Sequence, residues 1–202
     1  MARKGPTTVF PQAAEAGLAQ IRVGPSVANI GNAGKALAAA NSIGAMASTK
    51  FGANTEWLRL MSGFPELEDY AVVTQETAYI ECAFREITPY NVALASGLDP
   101  TAYTYASTST GTNVYTSGEV ALGNRSAPVY IRVEAEYTYP NGTKYMTVIY
   151  PRAQATGNVE LDWSNSEWAA SPIRFEAKRA DDAIDGGAAI WNNAPLGHII
   201  WT

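Results

Sequence analysis

Charge is what this sequence has least of. Of its 202 residues only 16% are Asp, Glu, Lys or Arg, where soluble domains carry about 25%. It has one Cys and one His. One Cys excludes an intrachain disulfide and a multi-thiolate metal centre. One His excludes a multi-His metal centre and leaves a single candidate base for a Ser-His or Cys-His pair. No apolar run nears the ~18 residues of a membrane helix. The opening Met1-Ala2-Arg3-Lys4-Gly5-Pro6 leads into no apolar segment, because Pro6, Pro11, Gln12 and Glu15 interrupt it. Neither a signal peptide nor a membrane span is expected, and synthesis is expected in the cytosol. A net charge of −5 excludes the basic footprint of a general nucleic-acid binder.

The apolar fraction is an ordinary 47%, so the chain is not compositionally disordered. Its length suits one domain, taken as residues 1–202, with room for a sizeable core. Ala, Gly, Thr, Ser and Tyr stand where charges would be. Either the surface is neutral and hydroxyl-rich, or partner subunits cover much of it. Charge is also uneven. Residues 1–50 hold five Lys/Arg and one acid, net +4; residues 51–202 hold nine and eighteen, net −9. A mildly basic arm beside an acidic body suits association between copies.

The pattern is strand-dominated. Residues 1–19 read as an N-terminal arm or a short first strand, and Gln20 to Pro25 as a strand ended by a turn. Residues 26–69 are expected to form a long loop or arm, Gly-rich at first and then apolar with Trp57, Leu60 and Phe64. From Ala71 to Ile87, Val72, Ile80, Cys82 and Phe84 share one parity; Gln75, Thr77, Tyr79 and Glu81 share the other. Thr88-Pro89 to Gly97 carries the clearest helix signal: an N-cap Thr, Pro at N1 and Gly at C′. Residues 100–118 are low in complexity. In residues 129–138, Val129, Ile131, Val133, Ala135 and Tyr137 face one way. Tyr130, Arg132, Glu134, Glu136 and Thr138 face the other, expected to be a wet face. Asn141-Gly142 predicts a hairpin turn into Lys144 to Tyr150. Further strands are expected at 157–163, 172–179 and 196–201. The fold class is therefore mainly β, a two-sheet sandwich or partly open barrel with one short helix and long loops.

Catalytic signatures are weak. His198 lies between Gly197 and Ile199 and reads as structural; Cys82 reads as a buried reduced thiol. No G-x-S-x-G elbow is present. Glu134 and Glu136 stand ~7 Å apart on one strand face, and so do Glu160 and Asp162. A glycosidase uses facing carboxylates at such separations, but acids alternating with apolar residues also mark any solvated strand. Asp181, Asp182 and Asp185 lack the spacing of a calcium loop. Gly31 and Gly34 lack the strand and Lys-Ser/Thr of a phosphate loop. Trp163, Trp168, Trp191 and Trp201 offer a stacking platform for sugar, which keeps a carbohydrate-binding module among the alternatives.

Several segments together resemble the major tail tube proteins of tailed bacteriophages. They are Gln20-Ile21-Arg22-Val23-Gly24-Pro25, the Gly-rich stretch to Gly52-Ala53-Asn54-Thr55, and the strand with Glu76 and Glu81 leading into Arg85-Glu86-Ile87-Thr88-Pro89-Tyr90-Asn91-Val92-Ala93-Leu94-Ala95-Ser96-Gly97. Ser171-Pro172-Ile173-Arg174-Phe175-Glu176-Ala177 and Pro195-Leu196-Gly197-His198-Ile199 complete them. Residues 100–118 have no counterpart.

The resemblance implies a non-enzymatic virion protein without cofactor or metal. It would be made in the host cytoplasm and polymerise with itself, as stacked homohexameric rings, into a hollow tail tube. Its lumen would hold the tape-measure protein and later conduct DNA. Baseplate and tail terminator proteins would meet its ends, and a sheath its exterior where the tail has one. The face Arg132/Glu134/Glu136, or the face Gln75/Thr77/Glu81, is expected to line the lumen. Lys35, Lys50, Trp57, Leu60 and Phe64 are expected to make ring-stacking contacts. Deleting residues 31–48 is expected to stop tube growth while leaving folded protein. The alternatives are a terminator or baseplate ring protein of the same fold and, in a different class, the sugar-binding module.

Overall fold

The computed structural model describes residues 19–44, 46–84, 86–98, 106–107, 113–114, 127–139, 144–156 and 171–202. The expected N-terminal arm, most of residues 100–118, the Asn141-Gly142 turn and the strand at 157–163 lie outside them. The described chain is mainly β. Strand β1 (Ala19–Pro25) leads into a short helix, α1 (Ser26–Asn29), and a 3-10 turn at Ala39–Asn41. Two long strands follow, β2 (Met46–Ser62) and β3 (Leu67–Phe84), then helix α2 (Pro89–Ala95). The remaining strands are β4 (Ala106–Ser107), β5 (Asn113–Val114), β6 (Ile131–Thr138), β7 (Tyr145–Thr156), β8 (Ser171–Ala177) and β9 (His198–Trp201).

Seven strands make one open antiparallel sheet in the order β1-β6-β7-β8-β3-β2, with β9 also on β7. Strand β7 changes partner along its length. Met146 to Ile149 pair with β9, and Ala153 to Thr156 pair with β8. The sheet curls, since Phe51 of β2 and Ala135 of β6 line one cleft although three strands separate them in the order. Its concave side holds the core, with Ile21, Val23, Ile80, Phe84, Val133 and Phe175 buried in one cluster. Burying one such side chain stabilises by roughly 1.5–3 kcal/mol.

Local chemistry explains the elements that alternate. In β6 the inward residues Ile131, Val133 and Ala135 are apolar and buried. In β8, Ile173 and Phe175 are buried while Arg174 and Glu176 are half exposed. Helix α2 starts where the Thr88 side chain accepts a hydrogen bond from Asn91 N at 3.1 Å. It stops at Gly97, whose φ of +69° costs glycine little. Its buried Asn91 donates to Ile43 O and Glu86 O, fixing the helix to the chain on both sides.

The expected long loop is the main departure. Residues 46–62 are strand, paired with β3 from Met46↔Phe84 to Ser62↔Leu67. A strand announces itself by alternation only when one face is buried and the other wet. Most of this one has no buried face, because Thr49 to Ser62 are exposed apart from half-buried Gly52.

Candidate assembly surface

The β2–β3 ribbon leaves the body. Strand β3 pairs with β8 from Tyr79 to Phe84, so among the described residues its residues 67–78 have β2 as their only partner strand. At ~3.3 Å per residue that is a projection of about 40 Å. Its outer half is apolar on both sides. Trp57 opposes Val73 on one side; Leu58 opposes Val72 and Leu60 opposes Tyr70 on the other. Trp57 is 54% exposed, Leu60 61% and Phe64 fully so, and Leu67 and Tyr70 are equally open. A contiguous apolar surface of this kind marks an interaction site. The three aromatic and aliphatic residues expected to make stacking contacts thus stand together on one arm, and the ion pair Arg59–Glu68 at 3.3 Å is its main charged feature.

Nearer the body the outward face of the ribbon is polar. Glu56 opposes Gln75, Asn54 opposes Thr77, and Lys50 opposes Glu81. Gln75 is exposed, and Thr77 and Glu81 are half-buried. Glu81 accepts from Arg174 at 2.9 Å and lies 3.6 Å from Lys50. Arg174 also stacks on the Tyr79 ring, 4.0 Å from its centroid. Gly52 makes room for that ring: a Cβ there would meet Tyr79 Cζ at 2.3 Å. Glu176 continues the row, contacting Arg174 at 3.3 Å and Lys178 at 3.0 Å. The hydrogen bond from Lys178 holds its carboxyl below the usual range.

The second polar face is not wet. Arg132 and Glu134 are 0% and 1% exposed, and Glu136 is nearly buried. Residues 29–37 form a strap across them. Arg132 donates to the carbonyls of Asn29 (2.8 Å), Asn32 (2.7 Å) and Gly34. Glu134 accepts from the amides of Ala36 (2.8 Å) and Leu37 (3.1 Å). Glu136 takes Lys35, and Arg22 lies 3.6 Å from it. The expectation that Arg132, Glu134 and Glu136 line a lumen is therefore corrected. In the folded chain they are covered, since a Gly- and Ala-rich strap brings its own backbone close enough to satisfy both charges. Lys35 belongs to this strap, not to the projecting arm. Deleting residues 31–48 would strip that cover, so folded protein is no longer expected from it.

His198 and Trp191 hold the same strap. The His198 ring bonds Ala33 O at 2.7 Å through Nε2, which must carry the proton because a carbonyl only accepts. Trp191 Nε1 donates to Ile30 O, and the two rings lie 5.0 Å apart. Cys82 is buried, and burial pushes its thiol up to about 12. It is inert at neutral pH. Among the described residues no group of three or more His, Cys, Asp or Glu could hold a metal, and no helix is long and apolar enough to cross a membrane.

No protein-family model matches the chain, and no curated protein matches it.

Proposed function

We propose that this protein is a structural subunit that polymerises with itself, as stacked hexameric rings, into the hollow tail tube of a bacteriophage. The observation that carries the reading is the projecting β2–β3 ribbon with its apolar outer half. An isolated two-stranded ribbon is marginal in water, and this one exposes large side chains on both sides. A second protein surface against it would remove that cost. The outer edge of β2, 17 residues long, has no partner strand among the described residues. Such an edge invites aggregation in a monomer and is satisfied when neighbouring copies continue the sheet around a ring.

On this reading the protomers are sandwich-like, and six of them close a common barrel. Trp57, Leu60 and Phe64 stack one ring on the next, with Lys50 at the base of the arm. The polar ribbon face of Gln75, Thr77 and Glu81 lines the lumen. An acidic chain suits that role, because DNA on a basic wall would release counterions and stick. The tape-measure protein and then DNA would occupy the lumen. Baseplate and terminator proteins would cap the ends, and a sheath would bind outside in a contractile tail. The low charge of the sequence fits surfaces that are desolvated on assembly.

Negative-stain microscopy of the purified protein at raised concentration tests the reading. Long hollow tubes are expected. Single rings would point to a terminator or baseplate protein, and monodisperse monomers would reject self-assembly.

A further inference from the structure

The open sheet ends at β1 on one side and at β2 on the other. The chain entering β2 touches β1 where Ser42 bridges Arg22 and Ile43 N donates to Ile21 O at 3.0 Å. Beyond that contact lies a cleft of about 340 Å³. Phe51 and Ile80 form one wall, and Ala135, Tyr137, Met146 and Val148 the other. Phe51 is 42% exposed at its mouth. The one charged lining residue, Glu136, has its carboxylate on Lys35 and Arg22. Clefts of ~300–1,000 Å³ take apolar groups the size of an aromatic ring and its neighbours. With no free charge to meet, this one suits an uncharged occupant.

Ala19, the first residue of β1, pairs with Tyr137 of the cleft wall. Residues 1–18 therefore join the fold beside the cleft. Phe10 is the one aromatic residue among them, set in Val9-Phe10-Pro11, and residues 5–14 carry no charge. We propose that Phe10 seats in the cleft of its own chain, with Val9 and Pro11 against the rim. The eight residues between Phe10 and Ala19 span up to ~27 Å, which is ample for a seat that begins beside Ala19. The apolar tip of a second copy's ribbon fits less well. It would bring Glu66, Glu68 and Asp69 to a cleft with no lysine in its lining. A seated Phe10 would cover the open side of Phe51 and close this end of the core against water. The inference goes beyond the proposed assembly and does not depend on it, since both parts belong to one chain.

Two full-length chains in a Cys82→Ala background test it, one bearing Val9→Cys with Thr49→Cys and the other Val9→Cys with Val27→Cys. Thr49 is exposed and lines the cleft. Val27 is 87% exposed beyond the far end of β1, and it is nearer to Val9 in sequence, so an undirected segment would favour it. In dilute solution under mild oxidation, the Thr49 pair is expected to form its intrachain disulfide at least tenfold faster. Adding Phe10→Ser to that pair is expected to slow it at least fivefold with unchanged circular dichroism. Equal rates for the two pairs would overturn the seat. A Thr49 pair that links only between chains would assign the cleft to a second copy's segment and overturn it as well. An unchanged rate with Phe10→Ser would overturn Phe10 as the anchor.

Discussion

Arg132 Nε donates to Glu134 Oε1 at 2.7 Å, and neither side chain reaches solvent. The two residues are i and i+2 on β6, on the face that sequence alternation would leave wet. Their remaining hydrogen-bonding capacity goes to the backbone of residues 29–37. The pair therefore clamps, through backbone groups, a segment that buried Leu37 and the Lys35–Glu136 ion pair also hold down.

Removing one partner should cost more than removing both. Glu134→Ala leaves a buried guanidinium and two orphaned amides, and about 3–5 kcal/mol of stability is expected to be lost. The double variant Arg132→Met/Glu134→Leu, which leaves no unpaired charge, should lose less. Urea denaturation of the three chains measures both. Hydrogen exchange at Ala36 and Leu37 should accelerate in the single variant before the rest of the sheet opens.

Cys82 gives a pH dependence with a definite sign. Its folded thiol is raised from 9.0 to about 12 by burial, so the folded state holds a proton that the unfolded state releases. That contribution is fully present below pH 9 and is lost as pH rises towards 12, at a limiting ~1.4 kcal/mol per pH unit. The buried phenol of Tyr150 is raised as well and adds to the loss above pH 10. Chemical denaturation from pH 8 to 10 should show stability falling in the parent chain and flat in Cys82→Ala. Alkylation at pH 8 should be slow until the protein unfolds.

The α2 cap is a local test. Thr88→Ala removes the acceptor for Asn91 N and is expected to cost about 1 kcal/mol. Thr88→Ser should recover most of it. Thermal unfolding compares them.

The projecting ribbon should be dispensable for folding. Ala53 and Ala78 face each other across it, so replacing residues 54–77 with Asn-Gly joins them by a tight turn. The truncated chain is expected to stay monomeric and folded, with melting within a few degrees of the parent and higher solubility. Its circular dichroism should keep the signature of the remaining sheet.

The sequence made legible those elements whose local chemistry is decisive. Strands β6, β8 and β9 alternate or sit between turn residues, and α2 carries Thr88, Pro89 and Gly97 at its ends. Strand β2 was hidden because its outer half puts Trp57, Leu58 and Leu60 on both faces, and period two vanishes when neither face is buried. The apolar character of the arm was readable, but not its extended form or its exposure. The buried state of Arg132 and Glu134 was unreadable for a different reason. The strap that covers them acts through backbone amides and carbonyls, and Asn29 to Leu37 carries no side-chain signal that it does so.

Cryo-electron microscopy of the full chain after concentration tests the central claim most directly. The expected result is a hollow, six-fold symmetric tube, with Gln75, Thr77 and Glu81 on the inner wall and the apolar arm of Trp57, Leu60 and Phe64 against the next ring. Particles that remain single protomers at every concentration, with the ribbon free in solvent, would contradict it.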